Sequence, residues 1–134
     1  MIYCMDSDMC IFAMRGRYPQ IPQRMIKLRP HQIKIPSVVK AELLLGALKS
    51  DHPKKTGRVV NNFIEPFEIV PFDDSAAKVY ARVRADLERI GKPIGPNDLI
   101  VAATAIAQGA TLVTHNTKEF SRINSLKIVD WTGV

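Results

Sequence analysis

The fold is decided by the opening stretch Ile2-Tyr3-Cys4-Met5-Asp6-Ser7-Asp8, in which a short apolar run ends at three polar residues that favour the start of a helix. An apolar run of this length is typical of a strand buried on both faces. The apolar residues from Met9 to Met14 then predict a buried helix, which Gly16 and Pro19 end. A strand that passes directly into a helix is the repeating unit of an α/β sheet.

Strands and helices alternate along the rest of the chain. Further strands are predicted at Ile33–Ile35, Phe67–Val70, Thr111–Thr114 and Lys127–Val129. Further helices are predicted at Ile21–Leu28, from Ser37 to Ala47, at Pro53–Ile64, Ala76–Ile90, Leu99–Gln108 and Asn116–Phe120, with a tight turn over Ile94–Asp98. This alternation predicts an α/β fold in which helices flank a doubly wound, mainly parallel sheet.

Length and composition are those of an ordinary globular chain. The 134 residues fit one domain, residues 1–134, and 46% hydrophobic with 24% charged residues exclude a disordered chain. No apolar run approaches the roughly 20 residues of a membrane helix, and the N-terminus lacks the features of a signal peptide. Cys4 and Cys10 have no CxxC spacing and are expected to be buried free thiols of a cytoplasmic protein.

The positive charge is concentrated in one part of the chain. The formal charge is +6, but residues 9–41 alone carry seven bases and no acid. The stretch is either a solvated face whose charges pair with acids elsewhere or a surface for a polyanion, and the absence of acids favours the second. On charge alone, the polyanion could be nucleic acid, an anionic membrane or an acidic protein. The predicted phosphate-binding residues are Arg15, Arg17, Arg24, Lys27 and Arg29.

Acidic residues fall where the predicted strands end or the next helices begin. Asp6 closes the first strand, Glu42 lies in the Ser37 helix, Asp98 lies in the first turn of the Ala-rich helix, and Asn116 and Glu119 follow a late strand. The carboxyl ends of parallel strands meet at one edge of a sheet, where ligands bind. Carboxylates without histidine or cysteine suit Mg²⁺ or Mn²⁺ and not zinc.

Each of these residues also has a purely structural interpretation. Asp6 is suited to cap a helix, Asp98 to favour a helix dipole, and Asn116 with Glu119 has the spacing of a capping box. Glu42 differs, because an acid within an apolar run is costly to bury without a partner. That partner is a metal, Lys40 or an arginine, and spacing alone leaves these alternatives open.

Four segments, in order, resemble the PIN-domain proteins of the VapC toxin type. Met5–Ile11 (MDSDMCI) resembles their opening LDTNICI, and Ser37–Ala47 (SVVKAELLLGA) resembles their central helix with its ELxxGA pattern. Ile94–Ala103 with Gly109–Phe120 resembles their C-terminal signature, and Leu126–Trp131 fits their ending. The resemblance spans nearly the whole chain, and the C-terminal signature is its most specific part.

The resemblance implies a PIN-like fold and a Mg²⁺-dependent endoribonuclease toxin (Mn²⁺ as the alternative ion) of a type II toxin–antitoxin pair. It assigns the catalytic and metal-binding acids to Asp6, Glu42, Asp98 and Glu119. The expected substrate is RNA, and tRNA in particular, with the initiator tRNA anticodon loop as one target. The expected partners are a second copy of the chain and a VapB-like antitoxin, through which alone it would meet DNA.

Two positions depart from the family pattern. Asp8 stands where the family usually has Asn, which adds a carboxylate near the site. Asn116 stands where many PIN proteins have a further Asp, which makes Glu119 the expected fourth acid. Ser7 and Asn116 are expected to support the site by hydrogen bonds to a ligand or to the phosphate.

Two other functions remain open at the level of sequence. A haloacid-dehalogenase-type phosphatase would use Asp6 as nucleophile, Asp8 as acid/base and Asp73-Asp74 as a later acidic pair, but it leaves Glu42 unexplained. A catalytically inactive RNA-binding module would use only the basic stretch, but it gives no reason for three acids of the family pattern to be present.

Overall fold

The structure is a computed structural model and describes residues 1–133, in which strands and helices alternate as predicted. No helix within these residues is both long and apolar enough to cross a bilayer. In chain order the elements are β1 (Tyr3–Met5), α1 (Ser7–Arg15), α2 (Gln20–Met25), a 3-10 turn (Pro30–Gln32), β2 (Ile33–Pro36), α3 (Ser37–Leu48), α4 (Pro53–Ile64), β3 (Glu68–Val70), α5 (Asp74–Arg89), α6 (Pro96–Ala107), β4 (Thr111–Val113), α7 (Thr117–Phe120) and β5 (Ile128–Val129).

The strands form one parallel sheet of five in the order β3-β2-β1-β4-β5. Most side chains of the central strands are buried, and those of Cys4, Met5, Leu112 and Val113 are fully buried. Strands that are covered by helices on both faces need apolar residues at successive positions, which is why their sequences do not alternate. The predicted α/β fold with a doubly wound parallel sheet is confirmed.

The order of the strands creates a crevice between β1 and β4. The chain builds the sheet outward from β1 to β2 and β3, and then returns to add β4 and β5 on the other side of β1. Met5 lies opposite Val113, and the N–H of Asp6 donates to the carbonyl of Val113 at 3.2 Å. The residues that follow β1 and β4 therefore leave the sheet side by side, at the point where parallel sheets bind ligands.

Two predicted helix boundaries differ from those observed by three residues, and the other differences are smaller. Helix α6 begins at Pro96 and not at Leu99, because proline at the first helical position has a helical φ and lacks an N–H that would need a partner. Helix α2 ends at Met25 and not at Leu28, because the chain tightens there and the N–H of Leu28 bonds to the carbonyl of Met25 at 3.1 Å. Lys27 therefore lies in the turn beyond α2.

Both cysteines are free and buried, as predicted. Cys4 lies on β1 and Cys10 on α1, and neither is exposed to solvent. Burial raises the pKa of the Cys4 thiol to about 12, although the charge of Lys34 lowers it in part. A buried thiol with so high a pKa packs as a small apolar side chain and has no reactive thiolate.

Candidate active site

Asp6 lies at the mouth of the crevice and also caps α1. Its side chain is only 8% exposed, and its Oδ1 accepts a hydrogen bond from the N–H of Met9 at 3.0 Å. The hydroxyl of Thr114, the residue after β4, also donates to this carboxylate. The predicted N-cap role is confirmed, and it is compatible with a functional role because a carboxylate accepts several hydrogen bonds at once.

Glu42 is brought to the same place by a hydrogen bond from Ser7. The Ser7 hydroxyl, at the first position of α1, donates to Oε1 of Glu42 on α3 at 2.7 Å. The sequence predicts that this half-buried acid needs a partner, and the partner observed is a hydroxyl and not Lys40. The bond holds the Glu42 carboxylate next to the residue that follows Asp6.

Asp98 and Glu119 approach from the other side of the crevice. Asp98 is half-buried in the first turn of α6, and Glu119 is half-buried on α7. The side-chain amide of Asn116 donates to Oε2 of Glu119 at 3.1 Å. The predicted capping box is wrong, because the Asn116 side chain makes no hydrogen bond to the backbone of α7. Its amide orients the neighbouring acid instead.

Thr114 links the two sides of the crevice, and sequence reasoning missed it. Its hydroxyl contacts the carboxylate of Asp6 and accepts the backbone N–H of Asn116 at 3.0 Å. The side chain is fully buried, although threonine is polar. The signal in the sequence was a hydroxyl residue at the end of an apolar strand, where a buried polar group needs partners.

Burial and neighbouring carboxylates raise the pKa of two acids of the crevice, Asp6 and Asp98. Burial raises the pKa of Asp6 to about 6, against the hydrogen bonds from Thr114 and Met9, and the charges of Asp8 and Asp98 add to the rise. The pKa of Asp98 is also raised, first by burial and then by the charges of Glu119, Glu42 and Asp8. The structure therefore places the four predicted acids around one cleft, with Asp8 at its exposed edge.

The chemistry of this donor set fits a hard divalent cation. The polar groups of the cleft are carboxylates, hydroxyls and one amide, which are the oxygen donors that Mg²⁺ and Mn²⁺ prefer. Within residues 1–133, none of the four acids forms an ion pair with lysine or arginine, so their mutual repulsion has no cation of the protein to offset it. Over the same residues, no three Asp, Glu, His or Cys side chains already lie close enough together to hold one ion. Joint ligation would require side-chain rotation.

The acidic pair that a phosphatase would need is placed elsewhere. Asp73 caps α5 by accepting the N–H of Ala76 at 3.0 Å, and Asp74 pairs with Lys78 at 3.6 Å. Helix α5 follows β3, which is separated from β1 by β2. The cleft therefore lacks the later acidic pair of that mechanism, whereas Glu42, which the phosphatase leaves unexplained, is part of it.

The basic residues predicted to bind phosphate are exposed. Within the described residues, the structure shows no ion pair between a carboxylate and any of the five predicted residues; of the basic stretch, Lys34 forms one, with Glu68 at 3.3 Å. Arg24 and Lys27 line a groove whose wall includes Tyr3 and Trp131. Ion pairs within the described residues therefore do not neutralise these five basic side chains. The five are Arg15, Arg17, Arg24, Lys27 and Arg29.

Comparison with protein families finds the PIN domain over residues 3–126. Among curated proteins, the chain is 33% identical over 130 residues to the tRNA(fMet)-specific endonuclease VapC of Shigella flexneri, covering 97% of this chain and 98% of that protein. It is 37% identical over 133 residues to the ribonuclease VapC2 of Rickettsia felis, covering 98% of each.

Comparison with solved structures gives the same result for the fold. The crystal structure of VapBC2 from Rickettsia felis, bound to a DNA fragment from its promoter, contains a chain that superposes with a TM-score of 0.91. That chain is 35% identical in sequence, and the match covers 98% of this chain and 99% of that one. The similarity therefore extends over the strands and helices that build the crevice.

Proposed function

This chain belongs to the PIN-domain family, and from that premise we propose how its acidic cleft acts and on which RNA. The chain is an endoribonuclease toxin of the VapC type, and its partners are RNA and a VapB-like antitoxin. We assign its activity to the cleft of residues 1–134, taken as one catalytic domain. The observation that supports the assignment is that Asp98 lies near enough to Asp6, Glu42 and Glu119 for their charges to interact, in the crevice beyond β1 and β4.

The proposed reaction is hydrolysis of an RNA phosphodiester with the help of Mg²⁺ or Mn²⁺. A divalent cation in the cleft would neutralise charge on the scissile phosphate and acidify water, so that the protein needs no nucleophile of its own. Asp6, Glu42 and Asp98 would hold the cation. Glu119 would hold a second cation or orient water.

Hydrogen bonds from neighbouring residues would keep these acids in place. Ser7 fixes the carboxylate of Glu42, and Asn116 fixes that of Glu119. Residues that orient metal ligands commonly affect metal affinity almost as much as the ligands themselves. The exposed bases of the basic stretch would hold the phosphates that flank the scissile one, and would offset the repulsion between the acids and the RNA.

The proposed substrate is tRNA, with the anticodon loop of initiator tRNA as the first candidate. The Shigella flexneri relative is a tRNA(fMet)-specific endonuclease by name, and it matches this chain over nearly its full length. Cleavage of tRNA places the action of the toxin in the cytoplasm. We further propose that the chain forms a homodimer and meets DNA only through its antitoxin. The Rickettsia felis relative is bound to promoter DNA as the VapBC2 complex.

The test is cleavage of defined transcripts by the purified chain. Initiator tRNA and an elongator tRNA are incubated separately with the chain and Mg²⁺, and the cut sites are mapped by primer extension. We expect a single cut in the anticodon loop of initiator tRNA, and its suppression by the antitoxin encoded beside the toxin. Equal cutting of both transcripts would contradict the substrate, and no cutting of any RNA would contradict the assignment of the cleft.

A further inference from the structure

Three aromatic side chains that the proposed mechanism does not use form a cluster beside the cleft. Phe12 on α1 packs edge-to-face against Tyr18, with ring centroids 5.0 Å apart, and against His115, with centroids 6.1 Å apart. Phe12 and Tyr18 are half-buried, whereas the His115 side chain is 57% exposed. The cluster therefore packs against the core with part of Phe12 and Tyr18 and presents aromatic surface to solvent.

An arginine extends this aromatic cluster. The guanidinium carbon of Arg17 lies 5.7 Å from the ring centroids of both Phe12 and Tyr18. Arg17 is exposed, and within residues 1–133 no carboxylate lies within ion-pair distance of it. A guanidinium held over aromatic rings, without an acidic partner, combines a planar stacking surface with a positive charge.

The ring of His115 is fixed in place by two residues from the end of the chain. Its Nδ1 lies 2.9 Å from Oδ2 of Asp130 and 3.1 Å from Oγ1 of Thr132, whose hydroxyl donates to Oδ1 of Asp130 at 2.6 Å. Burial opposes ionisation of Asp130, but the hydrogen bonds from Thr132 and His115 outweigh it and lower the pKa of Asp130. The carboxylate therefore accepts the Nδ1–H and sets the orientation of the exposed ring.

The cluster is connected to the acids through His115 and to the basic groove through the residues that hold His115. His115 directly precedes Asn116, whose amide binds Glu119. On the other side, Gln20 of α2 donates to the carbonyl of Thr132 at 2.6 Å. This bond fastens the end of the chain to the helix that leads to the groove lined by Arg24 and Lys27. A single strand of RNA could thus pass from the acids across the aromatic cluster into the basic groove.

We propose that Phe12, Tyr18, Arg17 and His115 form a nucleobase-stacking surface that holds an unpaired base of the RNA next to the scissile phosphate. The inference rests on the proposed function and adds a base contact to it. Unpaired bases are recognised by stacking on aromatic rings and on arginine. Such a contact is useful beside a cluster of acids, because it attracts the RNA without depending on the charge of its phosphates.

The test uses a fluorescent base analogue in the full-length chain. An oligouridylate with a single 2-aminopurine is titrated with the Asp98→Asn variant in the presence of EDTA, so that the RNA is expected to stay intact during the titration. We expect stacking to quench the fluorescence, and Phe12→Leu, Arg17→Gln or His115→Gln each to weaken binding about tenfold. The control is Arg58→Gln, which removes the same charge as Arg17→Gln from an exposed position on α4 and should change affinity by less than about twofold.

A second oligonucleotide with an abasic residue in place of 2-aminopurine isolates the base contact. If the surface stacks a base, the abasic RNA binds the parent weakly and the three variants no longer differ from it. If the variants lose the same RNA affinity with the abasic RNA, or if Arg58→Gln loses as much affinity as they do, the proposal is overturned and phosphate attraction alone explains the binding. Unchanged RNA affinity with a weakened antitoxin complex would overturn it in favour of a protein-docking surface. Neither outcome would change the expected cleavage of RNA by the parent chain. The proposed function is therefore tested separately, by the cleavage of defined transcripts.

Discussion

The hydroxyl of Ser7 donates to Oε1 of Glu42 at 2.7 Å, across 35 residues of sequence. This hydrogen bond joins the start of α1 to the middle of α3. It holds the carboxylate of Glu42, which lies on an apolar helix, at the mouth of the crevice. The orientation of Glu42 therefore depends on a side chain from another element, and removal of that side chain tests whether Glu42 is a metal ligand.

Ser7→Ala is expected to weaken Mn²⁺ binding by about 10- to 100-fold, because the hydrogen bond that orients a metal ligand is lost. Isothermal titration with Mn²⁺ measures the affinity. The matched control is Ser37→Ala, a serine at the first position of α3, which should bind Mn²⁺ as the parent does. Equal affinity in both variants would mean that Glu42 does not contribute to metal binding.

Asp98→Asn is expected to reduce RNA cleavage by at least about 100-fold, because the amide removes a negative charge that would hold the divalent cation in the cleft. Asp74→Asn serves as the control, since Asp74 also lies in the first turn of a helix but outside the cleft. Rates are measured on the same tRNA, with thermal melts to show that both variants are folded. Equal rates for the two variants would exclude Asp98 from catalysis.

Cleavage is expected to stop in EDTA and to return when Mg²⁺ or Mn²⁺ is added in excess. The reason is that the carboxylates of the cleft repel the RNA phosphates unless a cation lies between them. Cut RNA is quantified on denaturing gels after metal is removed and restored. Full activity in EDTA would contradict the metal-dependent mechanism.

Asp6→Asn is expected to stabilise the metal-free protein at neutral pH by about 1–3 kcal/mol. The pKa of Asp6 is about 6 in the folded chain, against an ordinary value of 3.8. A raised folded-state pKa means that the folded chain holds the proton more tightly, so the parent gains stability as pH falls through 6 and loses it as pH rises. Asparagine carries no charge at either pH and still caps α1.

Denaturant unfolding in EDTA, at neutral pH and at a pH below 3.8, measures this difference in the free energy of unfolding. The advantage of Asp6→Asn should shrink as pH falls through 6 and disappear below 3.8, where the parent is protonated in both the folded and the unfolded state. A variant that is less stable than the parent at neutral pH would show that the ionised carboxylate contributes more through its hydrogen bonds than its burial costs.

Arg24→Gln with Lys27→Gln is expected to weaken RNA binding and to make its salt dependence less steep. Each phosphate contact on a single strand contributes a slope of about −0.7 in log K against log salt, so loss of two contacts changes the slope by roughly 1.4. The cleavage site should stay the same, because phosphate contacts do not read bases. The control is Lys54→Gln with Arg58→Gln, which removes the same charge from exposed positions on α4. An unchanged slope in the first double variant would make the basic stretch a solvated or partner-binding face.

Much of the candidate site was predictable because short sequence patterns indicate which acids lie at the ends of strands and the starts of helices. Asp6 stands where an apolar run stops, and Asp98 stands where a proline starts a helix, so both acids were identifiable at the ends of elements. The isolation of Glu42 in an apolar helix indicated a buried partner. Its identity was not predictable, because Ser7 and Glu42 meet only after α1 and α3 pack against each other.

The sequence by itself determined the alternation of strands and helices, because hydrophobic periodicity and helix caps act over a few residues. Only the tertiary structure decided that β4 lies beside β1, and hence that Thr114 and Asn116 meet Asp6 and Glu119 in one cleft. The same holds for His115 and Asp130, which are 15 residues apart and lie at the ends of neighbouring strands. The order of the strands depends on contacts between residues far apart in sequence, because each short apolar strand could pair equally well with several others. The packing of the helices on the sheet selects one order, and no single segment of sequence specifies it.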